Sequence, residues 1–98
     1  MLKSEIMGWH WVITWDNPVP ADSSAMLNAL DALGRLTAVQ TKTTYILAPR
    51  KGIGWRAIRA AIIANLDQVR GNACYVNLRS GKAFEWGNAT GNAWRQVN

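Results

Sequence analysis

The chain has 98 residues, 49% hydrophobic and 17% charged, and its 11 Lys and Arg against 6 Asp and Glu set a formal charge of +5. That length holds one domain with a single core, and the composition is too apolar for a disordered chain. No apolar run approaches the ~20 residues that cross a bilayer, so no membrane partner is expected, whereas the basic balance favours encounters with polyanions.

Met1 to Gly8 carries Lys3 and Glu5, and no leucine-rich segment with a small-residue cleavage site follows, so no secretory signal is predicted. Cys74 is the single cysteine and has no internal disulfide partner. A reducing, cytoplasmic setting is the corresponding expectation.

Residues 9–16 predict a strand with Trp9, Trp11, Ile13 and Trp15 on one face and His10, Val12, Thr14 and Asp16 on the other. Both faces are largely apolar, which predicts a central position in a sheet. Asn17-Pro18-Val19-Pro20 ends it, because proline has no donor for the ladder. A helix is predicted over 23–33, with Asp22, Ser23 or Ser24 as cap, Met26, Leu27, Leu30 and Leu33 as its apolar stripe, and Gly34 at C′.

Two strands are predicted over 36–40 and 43–48, joined by a tight turn near Thr41-Lys42; one long bent strand is the alternative. Gly52-Ile53-Gly54 leads into a second helix over 55–66, with Trp55, Ile58, Ile62 and either Asn65 or Leu66 facing the core. Residues 73–78 predict a further strand, and Ser80-Gly81 a two-residue turn into an edge strand over 82–86. Residues 87–98, rich in Gly and Asn, read as a tail whose Trp94 either docks on its own domain or reaches a neighbouring subunit.

This order predicts an α+β, ferredoxin-like βαββαβ sandwich over residues 1–86, with an antiparallel sheet, two helices on one face and an extra C-terminal edge strand. Val12-Ile13-Thr14-Trp15-Asp16, Gln40-Thr41-Lys42-Thr43-Thr44-Tyr45-Ile46-Leu47 and Cys74-Tyr75-Val76-Asn77-Leu78 resemble the Cas2-like and SinR-like group of small ferredoxin-like proteins. That group includes the CRISPR-associated Cas2 proteins and the related VapD toxins, and the likeness covers roughly residues 9–86. The resemblance implies a two-fold homodimer, sheet against sheet, that binds duplex DNA or cuts RNA or DNA with magnesium. It also implies a metal-ligating, catalytic role for Asp16, paired with its symmetry mate.

Read from the residues alone, Asp16 instead accepts backbone N–H bonds and opens the Asn-Pro turn. His10 has no ligand cluster around it and Cys74 no CxxC spacing, so both are read as packing residues with no cofactor. Lys51-Gly52-Ile53-Gly54 lacks the full phosphate-loop patterns. Arg50 and Lys51 precede a helix N-terminus, and with Arg56 and Arg59 they form the best candidate phosphate-backbone contact; a solvated helix face is the alternative.

Six tryptophans are the oddest feature of the composition. Trp9, Trp11, Trp15, Trp86 and Trp94 are candidates for a homodimer interface, with core packing and base stacking as the competing readings. The resulting functional expectation is a non-enzymatic homodimeric module contacting nucleic acid or a protein partner. The alternatives are a magnesium-dependent Cas2-like or VapD-like endonuclease, and a small inhibitor or host-interaction protein of a mobile element.

Overall fold

The computed structural model describes residues 10–18, 23–39, 44–87 and 90–97. Their elements run β1 (Trp11–Asp16), α1 (Ser24–Asp31), β2 (Gly34–Ala38), β3 (Thr44–Pro49), α2 (Trp55–Asn65), β4 (Asn72–Asn77), β5 (Ala83–Trp86) and β6 (Arg95–Gln96). The strands form one sheet in the order β2-β3-β1-β4-β5-β6, with every neighbouring pair antiparallel. The first four strands and two helices make the ferredoxin-like core, and β5 and β6 extend one edge. The predicted turn at Thr41-Lys42, the caps at Asp22 and the strand residue Trp9 lie outside the described residues.

β1 is the central strand its two apolar faces predict, paired with β3 on one side and β4 on the other. Ile13 and Trp15 meet Leu47, Ala73 and Tyr75 on one face of the sheet, and Met26, Leu30, Ile58, Ile62 and Leu66 close over them from the helices. Burial of these side chains supplies most of the folding drive, at roughly 1.5–3 kcal/mol for each large one. Both helices lie on this side of the sheet, and the opposite face carries Val12, Thr14, Ile46, Cys74 and Val76, all partly exposed.

Several local details differ from the sequence expectation. Ser23 makes no side-chain cap bond to α1. Its hydroxyl instead accepts from the indole of Trp15 at 3.2 Å, tying the helix start to β1. Gly34 is not a left-handed C′ residue; it opens β2 opposite Pro49. Asn17, read as part of a turn, clamps the far end of α2: it donates to the Asn65 carbonyl (3.1 Å) and accepts from Asp67 N–H (2.7 Å).

The β4–β5 connection is a four-residue loop over 78–81, closed by Asn77 and Lys82 with Gly81 at φ 74°. Asn77 Oδ1 accepts from the backbone N–H groups of Arg79 and Ser80, an arrangement that competes well with a two-residue turn.

The Gly- and Asn-rich segment from Gly87 onward returns along β5. Gly91 and Asn92 adopt positive φ, Thr90 Oγ1 accepts from Gly87 N–H at 3.0 Å, and Arg95 pairs with Glu85 at 2.6 Å. These contacts seat Trp94 on its own domain.

Candidate aromatic-arginine groove

α2 begins at Trp55 after an extended Gly54, and Arg59 lies one turn further along the same side. Below them, the register of β4 and β5 sets Tyr75 opposite Phe84, with the rings stacked at 5.3 Å. Trp94 meets Tyr75 edge-on at 5.1 Å and Trp86 at 5.8 Å, while Trp11 tilts against Tyr75 at 5.4 Å. One aromatic cluster therefore covers the β1–β4–β5 end of the helix-facing side.

Arg59 enters this cluster. Its guanidinium carbon is 4.6 Å from the centre of a Trp55 ring, 4.9 Å from Phe84, 5.4 Å from Trp94 and 5.6 Å from Tyr75. Its Nε donates to the Tyr75 hydroxyl. Cation–π contacts of this kind contribute ~0.5–2 kcal/mol each where water is excluded. The ion pairs among the described residues are Arg70–Asp67 and Arg95–Glu85, and neither neutralises Arg59.

The Tyr75 side chain is fully enclosed, and burial pushes its phenol above the usual value of 10.0, opposed by the adjacent Arg59. A raised folded-state pKa means that this contribution to stability is intact below pH ~10 and lost as pH rises through the folded value. The melting temperature is thus expected to fall above pH ~10, and Tyr75→Phe to flatten that fall in thermal scans against pH. An identical alkaline slope in both proteins would show that the phenol is not the group responsible.

The sequence-predicted residues fall into three places. Arg56 lies exposed with its guanidinium 5.1 Å from Trp55, so Arg56 and Arg59 converge on one indole. Arg50 and Lys51 are exposed in the loop leading to α2, where Arg50 N–H is fixed by the Leu33 carbonyl at 2.8 Å. Arg59 is half-buried among rings and is not part of a solvated helix face.

The tryptophans lie on the helix-covered side. Trp15 is 3% exposed and stacks on Tyr45 at 5.5 Å, and Trp11, Trp86 and Trp94 pack against the core. Trp9 lies outside the described residues.

Trp55 departs from its predicted core position and is 43% exposed. Helical periodicity fixes the angle of a side chain around the axis and says nothing about where the helix overhangs its sheet. Trp55 shares the angular stripe of Ile58 and Ile62, yet it lies at the first helical position, beyond the enclosed core. Together with Trp11 and Phe84, it lines a cavity of about 390 Å³ whose polar lining includes Arg59, Lys82 and Asn77. Lys82, Tyr75 and Phe84 carried no functional signal in the sequence, because only the strand register brings them beneath Trp55.

Asp16 is exposed at the end of β1, opposite Asn72, and lines a separate cleft of about 260 Å³ with Cys74, Glu85 and Trp86. Burial and the charge of Glu85 push the Cys74 thiol upward, away from the reactive thiolate. No group of three or more His, Cys, Asp or Glu is placed to hold a metal ion among the described residues. A magnesium site on Asp16 therefore needs ligands from outside this cleft.

None of the described helices is long and apolar enough to cross a membrane. The architecture defines the class as a ferredoxin-like α+β domain with two added edge strands. No protein-family model matches the chain, and neither a curated protein nor a solved structure matches it.

Proposed function

We propose that the chain is a non-enzymatic interaction module that acts as a homodimer, two copies meeting through the helix-free face of the sheet. The observation that carries this reading is a continuous row on that face. Thr37, Ile46, Val12, Val76 and Ala83 are cross-strand neighbours in register, and exposed Val97 lies beside Ala83 through its N–H bond to the Ala83 carbonyl. The row thus crosses five strands and ends at Val97, directly after β6, with no charge in it.

One such row, with strands ~4.8 Å apart and same-face rows ~7 Å apart, covers on the order of 200 Å². The support is the row's continuity and lack of charge on a sheet face that neither helix covers. The row is about a quarter of the ~800 Å² per partner of a stable complex, so the dimer is expected to be weak and reversible.

The face also suits a second copy of itself. Six strands place the sheet's midline between β1 and β4, with Val12 and Val76 flanking it. A two-fold axis along that midline sets Val12 of one copy over Val76 of the other, as a self-complementary interface requires. Asp16 is on the same face, on β1 beside the axis. The nuclease alternative draws on that placement, since it requires two Asp16 carboxylates from two copies.

The test is sedimentation velocity over a range of concentrations. The native chain is expected to shift from monomer towards dimer, and Val76→Lys to remain monomeric with an unchanged far-UV spectrum. A native chain that stays monomeric throughout would rule the reading out.

A further inference from the structure

We infer that the groove beneath Trp55 binds single-stranded nucleic acid, taking an unstacked base against Trp55 and the adjoining phosphate at Arg59 and Lys82. This deepens the proposed function by naming a partner class, and it does not require the dimer, because one chain supplies the whole groove.

Four observations converge on it. Among the described residues, Trp55 is the exposed aromatic beside the cavity, and its ring has two guanidinium groups about 5 Å away. Flat stacking surfaces with arginine at hand suit bases of any sequence, provided the bases are not already stacked in a duplex. Arg59 commits Nε to Tyr75 and has no ion-pair partner among the described residues. A partly desolvated guanidinium with its outer N–H groups uncommitted matches the oxygens of a phosphate.

Lys82 adds a second cation to the same wall, and among the described residues no carboxylate lines the cavity. Finally, α2 opens beside it with no acidic residue in its first turn and no side chain capping its N–H groups. That helix end therefore adds positive potential where the phosphate lies. The cavity, about 390 Å³, is within the ~300–1,000 Å³ range of small-ligand sites and has room for one nucleotide.

The experiment is fluorescence anisotropy with labelled oligouridylate, a duplex RNA of the same length, uridine monophosphate and polyglutamate as competitors, all at low salt. The native chain is expected to prefer the single strand over the duplex, with polyglutamate failing to compete. Trp55→Ala should weaken oligouridylate binding about tenfold, and Trp55→Phe should restore most of it. Lys82→Ala should lower the slope of log affinity against log salt by about 0.7, the share of one phosphate contact on a single strand.

Trp55 is partly exposed and outside the enclosed core, so its variants are expected to stay folded and to lose only the stability of its two cation–π contacts, a drop that a thermal scan measures separately from binding. Val76→Lys should bind the strand normally, which separates failure of the groove from failure of the dimer. Equal binding by Trp55→Ala and the native chain, or equal affinity for duplex and single strand, would overturn the inference. Uridine monophosphate binding as tightly as the strand would also overturn it, in favour of a free nucleotide, and so would full competition by polyglutamate, in favour of an acidic peptide.

Discussion

Trp15→Ala is expected to destabilise the fold by about 3–5 kcal/mol, the range for removing a large buried aromatic. Trp15 is 3% exposed, stacks on Tyr45 with the planes 11° apart, faces Ala73 across β4 and donates to Ser23 at the start of α1. Its removal empties the junction between three strands and a helix. Total stabilities of small domains are ~5–15 kcal/mol, so the loss is a large share of the whole. It corresponds to a fall in melting temperature of roughly 15–30 °C.

Urea denaturation checks the value, with Trp15→Phe retaining most of the native midpoint. The same experiment separates core from interface. A tryptophan at a subunit contact would change association and leave the monomer's stability near native. Finding Trp15→Ala within about 1 kcal/mol of the native chain would therefore contradict its core placement.

The position of Trp15 shows how far the sequence could be read. Alternation correctly grouped Trp11, Ile13 and Trp15 on one face of a central strand, and the helix stripes of Met26 with Leu30 and of Ile58 with Ile62 were equally plain. Which face the helices take was not legible, because Val12, Ile46 and Val76 make the other face nearly as apolar. The tryptophan-rich face became the core and the valine-rich face was left open.

The groove was hidden for a related reason. With a two-residue turn at Ser80-Gly81, Tyr75 would face Trp86. The observed loop over 78–81 slides β5 by two residues and sets Tyr75 opposite Phe84. A two-residue slip preserves the faces, so the fold was readable while the partners around Arg59 were not. In the last segment, glycine and asparagine masked β6. The usable signals were Trp94, whose surface needed a cover, and Arg95, opposite in charge to Glu85.

Gly34→Ala is expected to cost about 2–3 kcal/mol, far more than the few tenths typical of an exposed strand position. A Cβ at this position would fall 2.6 Å from Pro49 Cα, 2.9 Å from the Ala48 carbonyl carbon and closer still to the carbonyl oxygen. All three are backbone atoms, and no rotamer change moves them aside. Fraying the end of β2 offers little relief. Arg50 N–H donates to the Leu33 carbonyl at 2.8 Å directly beyond the clash, so β2 and β3 are tied together there as well as along Arg35–Ala48 and Leu36–Leu47.

The glycine is thus required for close approach of two strands rather than for a left-handed helix cap, and the two causes predict different substitution patterns. A left-handed cap accepts asparagine at modest cost. Close backbone approach rejects asparagine as firmly as alanine, since both carry a Cβ. Denaturation of Gly34→Ala and Gly34→Asn, with amide exchange at Leu36 and Thr37 as a local readout, decides between them. Both variants should lose stability together and expose the β2 amides, whereas a native-like Gly34→Asn would restore the cap.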